Sequence, residues 1–381
     1  MFDEGFDVID DAHILVDGRM YGSWDELAAS GYFHEEDTRC GVPSDELAKH
    51  PEFDLRGPAD CSYNNTSVLP QYEPGVERYR IPVVVHVIQN SSGTGYLSEA
   101  RVQSQIDILN EDYLALTGTN GALGNNAEIE FYLATEDPSG NPTNGITYST
   151  NTTWFNDSGA YYNTLAWNTN KYLNIYTNQA GGALGYVPDL PQGGIAGSNS
   201  DRVVILYSSF GRNAPLSPYD QGRTATHEVG HYLGLWHPFD NGCGTVAGCA
   251  TTGDRICDTN TESSPVFGCP GSHSSCSTSD PFHNYMDYSD DLCMTEFTPD
   301  QVNRMRCSLL NYRPNLYEVV TSGGPCNAAD LDGSGVLNLD DVNLFAIYFQ
   351  ANDIRADVDG NGALNLDDVN TFALAFAAGC P

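Results

Sequence analysis

Positive charge is scarce in this chain of 381 residues: 16 Lys and Arg stand against 51 Asp and Glu, a net charge of −35. A field of that sign repels phosphate backbones and anionic membrane surfaces, which excludes nucleic acid as a partner and favours cations such as calcium. Long apolar runs are missing too. No stretch reaches the roughly 18 apolar residues of a membrane-spanning helix, so no membrane span is expected. A basic leader is also absent: the opening MFDEGFDVIDDAHILVDG is acidic and does not read as a signal peptide. What remains is a folding composition, 40% hydrophobic and 11% aromatic, and not that of an acidic disordered tail. At about 100–200 residues per domain the length implies two or three units, one with a sizeable core.

Eleven cysteines, nine of them from Cys243 onward, are too many and too clustered for a reduced cytosolic enzyme. The expected location is therefore secreted or cell-surface, in an oxidising compartment. The odd total leaves at least one thiol outside any internal bridge.

Residues 1–77 are acidic, rich in Gly and Pro and weakly periodic, and read as an extension laid on a larger body. From Ile81, IPVVVHVI reads as a buried strand. Val102, Ile106, Leu109 and Tyr113 then recur at helical spacing behind a Ser98 cap. Strands are expected at 129–133, 172–176 and 202–206, and helices at 224–235 and 297–310, the last entered through Thr298 and Pro299. The fold class is α+β, with the large domain over 78–320. TSGGP at 321–325 is a linker, and a repeat module fills 326–381. The irregular run from Pro238 to Pro281 needs disulfides or metal to hold it.

The strongest motif is ATHEVGHYLGLWH. On a helix His227 and His231, four apart, share one face and reach one metal ion, with Glu228 beside them to hold a water. Gly234 lets the chain turn so that His237 supplies a third nitrogen. Three imidazoles leave zinc an open position, the catalytic arrangement. Zinc would acidify the water and polarise a peptide carbonyl, with Glu228 as general base, giving peptide hydrolysis without a covalent intermediate.

The extended motif, with HNYMDY downstream, resembles the metzincin metallopeptidases, and within them the pappalysin group, over roughly Arg80 to Leu310. The resemblance implies a zincin-like catalytic domain with a twisted sheet and active-site helix. It makes Met286 the methionine of the turn beneath the zinc, a packing role, and gives the Tyr288 phenol a part in stabilising the reaction intermediate, against a reading of Tyr288 as packing alone. It further implies a preference for Arg or Lys just after the cleaved bond, at P1′, through Asp291; the plain alternative is a solvated surface carboxylate. TRCGVP at 38–43 resembles a cysteine switch, in which Cys40 occupies the fourth zinc position and Arg39 anchors the segment. A Cys40–Cys61 disulfide is the competing reading. Latency would then end with a cut in the connection 72–80, by the enzyme itself before Arg78 or Arg80. The resemblance also suggests bridges Cys249–Cys276 and Cys269–Cys293, with Cys243–Cys257 expected from proximity and Cys307 left for Cys61. Asp254, Asp258 and Thr259 resemble a calcium site of such relatives, an Asx-turn cluster being the alternative.

DLDGSGVLNLDD from Asp330 and DVDGNGALNLDD from Asp357 repeat with a period of 27. Oxygen donors fall at loop positions 1, 3, 5, 9 and 12: Asp330, Asp332, Ser334, Asn338 and Asp341, then Asp357, Asp359, Asn361, Asn365 and Asp368. Val336 and Ala363 would add backbone carbonyls, completing EF-hand geometry for two calcium ions. The duplicated loop and helix resemble a type I dockerin, which implies a cohesin-like scaffold partner; a calcium-stabilised tag is the alternative. Cys326 and Cys380 flank the module and could clamp its ends.

The leading function is a secreted zinc endopeptidase made as a latent zymogen and acting on proteins or peptides. An inert calcium-dependent binding protein and a structural outer-layer protein are the competing classes. Glu228 and Tyr288 argue against the first, and the histidines against the second.

Overall fold

ERYRIPVVVHVIQ forms one 13-residue strand, Glu77–Gln89, because its β-branched residues fit a sheet buried on both faces. In the computed structural model, which describes residues 7–42 except 11, 17 and 35, 70–321 except 76, 241, 244–248 and 250–252, and 326–331, 337–350 and 353–380, the chain divides into two compact units. One comprises 1–74 and 80–318, the other 75–79 and 319–381.

The larger unit opens with β1 (Asp7–Asp10), β2 (His13–Val16) and β3 (Arg19–Tyr21), an antiparallel sheet, and α1 (Trp24–Ala29), capped by Ser23. The N-terminal segment is thus more ordered than its composition implies. Its Ile14, Trp24, Leu27 and Phe33 are buried in one cluster with Phe155, Tyr207, Leu216 and Tyr219 of the body. Low periodicity misled because these short elements borrow their core from the body. A short helix, α2 (Glu36–Arg39), carries the chain to Cys40.

The central sheet orders β4 (Glu77–Gln89), β7 (Leu173–Asn178), β9 (Val203–Leu206) and β8 (Gly185–Tyr186), with β5 (Ile129–Leu133) and β6 (Ile146–Thr150) paired to β4. β8 runs antiparallel to β9 and lies at the end of that order. The expected strands are present; β6, whose ITYST run is short and half polar, had not been anticipated. α3 (Glu99–Tyr113) starts at Ser98, whose side chain accepts from the Arg101 amide, and buries Val102, Ile106, Leu109 and Tyr113 as its spacing predicts. α4 (Arg223–Tyr232) is buried at all ten positions, and α5 (Pro299–Tyr312) opens with a Thr298–Gln301 capping box.

The connection 72–80 is not the exposed strap expected. Arg78 is buried within β4 and Arg80 pairs with Glu130 at 2.8 Å. Tyr72 is buried on α5, its carbonyl accepting from Arg306 and its hydroxyl from Asn311. Cutting before Arg78 or Arg80 would require unravelling a strand.

Two of the expected cysteine pairs are replaced. The bridges are Cys243–Cys276, Cys249–Cys257 and Cys269–Cys293, so Cys249–Cys276 and Cys243–Cys257 do not form. Gly253 and Arg255, both at φ 58°, reverse the chain and return Cys257 to Cys249, which leaves Cys243 for Cys276. Cys269–Cys293 and Cys326–Cys380 are as expected. Cys307 is disulfide-bonded, while Cys61, its expected partner, lies outside the described residues.

In the smaller unit, α6 (Leu339–Gln350) and α7 (Leu366–Ala378) each follow one copy of the repeat. Its core joins Ala329 to Ala356 and Phe345 to Phe372, pairs that occupy equivalent places 27 residues apart. The two phenyl rings stack with centroids 4.3 Å apart. Asp332, Ser334 and Val336 lie outside the described residues, as do linker positions 322–325.

Candidate metal centre and substrate cleft

The helical period brings His227 and His231 to one face of α4, and Gly234, at φ 93°, reverses the chain so that His237 returns to them. A β-carbon at 234 would also meet Ser308 Oγ at 2.5 Å, so glycine is required twice over. The three Nε2 atoms lie 3.0–3.2 Å apart. His227 Nδ1 faces the Tyr285 carbonyl at 2.7 Å and His231 Nδ1 the Leu235 carbonyl at 2.8 Å. These carbonyls take the Nδ1 protons, so the Nε2 lone pairs converge without a hydrogen between them. Burial drives the basicity of His227 and His231 far down and keeps both neutral. Three imidazole nitrogens converging in a dry site are a fit for zinc.

Cys40 comes to the same point. Its Sγ lies 3.5 Å from His231 Nε2 and 3.7 Å from Glu228 Oε2, and all four ligand atoms fall within 4.8 Å of one another. Cys40 is the free cysteine among the described residues, so the Cys40–Cys61 bridge does not form. Burial and the Glu228 carboxylate push the thiol well up, so a thiolate here needs a cation beside it. The flanking backbone pairs with the edge of the sheet: the Leu184 amide donates to the Thr38 carbonyl at 3.0 Å and the Gly41 amide to Gly185 at 2.9 Å. The N-terminal segment therefore lies against the sheet edge at Leu184–Gly185, held there by two backbone hydrogen bonds from either side of Cys40.

Glu228 is fully buried, and burial pushes its carboxyl up to about 8. Gly185 passes so close that a β-carbon there would meet Glu228 Cγ at 2.7 Å. On the other side of α4, a β-carbon at Gly230 would meet Met286 Sδ at 2.5 Å, so Met286 packs directly under the helix. The Tyr288 hydroxyl stands 3.3 Å from His237 Nε2.

Asp291 is fully buried, so it is not the solvated surface carboxylate that the plain alternative expected. Its Oδ2 accepts from the amides of Gln221 at 2.8 Å and Arg223 at 3.1 Å, capping the active-site helix, while Oδ1 has no hydrogen-bond partner. Arg39, 1% exposed, lies over the Tyr219 ring at 4.6 Å, donates to the Ser289 carbonyl and is the foremost positive influence on Asp291.

Asp112 is a site residue that sequence reasoning missed. Its carboxylate accepts from Arg223 at 2.9 Å, Thr226 at 2.6 Å and the Tyr285 hydroxyl at 2.8 Å. It thereby ties α3 to the start of α4 and to the residue whose carbonyl holds His227. The one available signal was an acid beside the apolar stripe of α3. Asp254 and Thr259 line one small cavity, but both oxygens of Asp258 serve the start of α5, accepting from Thr298 and the Asp300 amide.

Residues 146–310 match the family model described as pregnancy-associated plasma protein-A. The chain is 34% identical over 286 residues to an extracellular metalloprotease of Pyricularia oryzae, covering 72% of this chain and 89% of that protein. One from Colletotrichum graminicola matches at 34% over 288 residues, covering 72% and 91%. Mature mirolysin of Tannerella forsythia, solved with a cleaved peptide, is 40% identical with a TM-score of 0.54, over 64% of this chain and 96% of that one. A promirolysin variant from the same organism reaches a TM-score of 0.58 at 34% identity, over 73% and 96%. These likenesses bear out the α+β zincin-like fold with its twisted sheet. Among the described residues no helix is long and apolar enough to cross a membrane. The chain belongs to the pregnancy-associated plasma protein-A family, metallopeptidases whose catalytic zinc the three converging imidazoles fit.

Proposed function

We propose that the chain is a secreted zinc endopeptidase, held latent by its own N-terminal segment, that cuts before Arg or Lys. The observation that carries this reading is the Cys40 thiol, set between His231 Nε2 and Glu228 where a catalytic water would sit. His227, His231 and His237 would hold the zinc, which when bound acidifies water and polarises a scissile carbonyl. Glu228 takes the proton of the attacking water and returns it to the leaving amine. Tyr288 donates its phenol hydrogen to the developing oxyanion. The edge at Leu184–Gly185, now paired to Thr38 and Gly41, aligns the substrate backbone once the segment leaves. With Tyr72 anchored on α5, the activating cut falls upstream of Pro70.

Asp291 Oδ1 receives the basic P1′ side chain, a place now influenced by Arg39. Burial pushes this carboxyl up to about 6 from 3.8. Because the folded value lies above the ordinary one, its contribution to stability is present at low pH and falls as pH rises from about 4 to about 6. An arginine pairs only with the ionised form. Arg39, which lowers this carboxyl, leaves with the segment, so selectivity for Arg over Leu at P1′ is expected to rise at least about tenfold between about pH 5 and pH 7.5. Cleavage of paired peptides across that range checks it, and a flat ratio would remove Asp291 from specificity. Asp291→Asn, which keeps an oxygen for the helix cap, should abolish the rise.

Calcium enters this reading at Asp254 and Thr259, and in the dockerin-like module. There Asp341 and Asp368, buried equivalents, each accept the amide of the loop asparagine, Asn338 or Asn365, at 2.9 Å. Asp357, Asp359 and Asp368 offer oxygens within 4.8 Å of one another. Exposed Leu339 and Ile347 recur 27 residues on as Leu366 and Leu374, the apolar face a cohesin-like scaffold would cover. At calcium about 100-fold above Kd, chelation is expected to lower the melting temperature of this module by about 10–20 °C. Calorimetry of the full chain with and without chelator reads this, and Asp368→Ala should lose about half the shift.

The test of the whole reading is digestion of a mixed peptide library, with cut sites read by mass spectrometry, before and after removal of the segment upstream of Pro70. Chelator-sensitive cuts before Arg and Lys, appearing only after removal, are expected. Silence of the processed chain with zinc and calcium supplied would return it to an inert binding protein.

A further inference from the structure

One side chain of the N-terminal segment occupies a place that the reaction does not use. The His34 ring stacks on Phe267, with centroids 5.0 Å apart and planes 24° apart. Phe267 in turn stands 5.8 Å from the Tyr288 ring, so this place adjoins the metal centre. Its second wall is Asp290. Whereas Asp291 is bound by the start of the active-site helix, Asp290 is half-buried, and among the described residues no hydrogen bond engages its carboxylate. Burial pushes the Asp290 acid up, and Arg39 and His34 of the N-terminal segment pull it back down. The imidazole therefore lies over an aromatic face and within the field of a carboxylate.

The two walls are fixed to each other. The Asp290 amide donates to the Gly268 carbonyl at 3.0 Å and the Cys293 amide to the Asp290 carbonyl at 2.8 Å, while Cys269–Cys293 staples the two stretches together. The Val266 amide, beside Phe267, donates to Asp287 Oδ1 at 3.1 Å. The segment is anchored around His34 by its neighbours: Phe33 is buried edge-on against Tyr219, and the Tyr32 hydroxyl donates to the Gly182 carbonyl at 3.1 Å. His34 itself is exposed, and when the segment leaves, the Phe267 face and the Asp290 carboxylate are left for another side chain.

The geometry points to a second specificity subsite, formed by the face of Phe267 and the carboxylate of Asp290, that takes an Arg or His side chain of the substrate beyond P1′. This rests on the reading of Asp291 as the P1′ carboxylate. His34 and Arg39 both precede Cys40, and Arg39 acts on Asp291 and Asp290 alike, which sets the Phe267 place on the P1′ side of the metal. Because Asp290 and Asp291 are adjacent, the side chain that reaches Asp290 is that of P2′ or P3′. A guanidinium or imidazolium stacks on a phenyl face and meets a carboxylate at once. An apolar side chain uses the ring alone, and Glu faces Asp290 as a like charge.

The chain processed upstream of Pro70 is tested with peptides that carry Arg at P1′ and Arg, His, Ser or Glu at P2′ and at P3′. At one of these two positions Arg or His is expected to raise kcat/KM about tenfold over Ser, with Glu below Ser. Phe267→Leu and Asp290→Asn should each remove about threefold of that ratio, and Asp290→Lys should turn the preference toward Glu, which a packing role would not do. The same peptides are bound to the processed Glu228→Gln chain with zinc, their affinities read by fluorescence anisotropy, so the subsite is decided even if no peptide is cut. Selection of Arg at P1′ with equal rates for all residues at P2′ and P3′ overturns the subsite and leaves the peptidase standing. A basic residue moved to P3 or P5′ checks for attraction to the acidic chain as a whole: a gain of the same size there overturns the subsite as well.

Discussion

Glu228→Gln is expected to lower kcat of the processed chain by about 10²–10⁴-fold, with KM and melting temperature nearly unchanged. The amide keeps the shape of the side chain against Gly185, where a single added carbon would already clash at 2.7 Å, so substrate backbone and helix stay in place. What is lost is the proton acceptor. Burial pushes this carboxyl up, and a carboxylate of raised basicity is suited to taking a proton from acidified water and surrendering it to an amine. The loss corresponds to about 3–5 kcal/mol of transition-state stabilisation. Replacing a buried carboxylate by a neutral amide does not weaken the fold, so unfolding is not available as an explanation. Steady-state kinetics on one peptide suffices. A kcat within a few-fold of wild type would end the assignment of Glu228 as base.

Cys40→Ala is expected to make the full-length, uncut chain cleave peptides about 10²-fold faster than the uncut wild type. In the proposed latent form the thiol supplies the one bond in the segment that would compete directly with water for zinc, and a tethered ligand competes at an effective concentration of about millimolar. Latency will not vanish altogether. The Thr38 and Gly41 backbone pairs survive, as does Arg39 above Tyr219, so an Arg39→Ala, Cys40→Ala double variant should be faster still. Initial rates, with mass spectrometry confirming that the chain stays intact, read the effect. Equal rates for variant and wild type would mean that the segment blocks the cleft sterically and the thiol is incidental.

Much of the site was legible because its logic is local. HExxH states its geometry through the helical period, and Gly234 announces the turn that returns His237. Met286 and Tyr288 sit in one short motif. The caps at Ser98 and Thr298 follow from hydroxyls placed just before apolar spacing begins, and the 27-residue period predicted a module whose core pairs Ala329 with Ala356 and Phe345 with Phe372. Asp112, in contrast, meets Arg223, Thr226 and Tyr285 from 111 or more positions away, and no spacing reports such a contact. The N-terminal sheet was missed because its core lies largely in another part of the chain.

Cysteine pairing shows the same division. Composition alone established an oxidised protein with one thiol left over, yet the turn at Gly253 and Arg255 chose the partners. Likewise Asp258 carries the same carboxylate as Asp254, but its oxygens were taken by the start of α5 and those of Asp254 were not. Ligand type, metal, reaction class and repeat architecture follow from residue chemistry at short range, where one or two helical turns set every distance. Which acid caps a helix, which is left unpaired in the dark and which arginine is held beside Asp291 depend on long-range closure of the chain. Burial there multiplies the cost of each unpaired charge, and so decides what each carboxylate does.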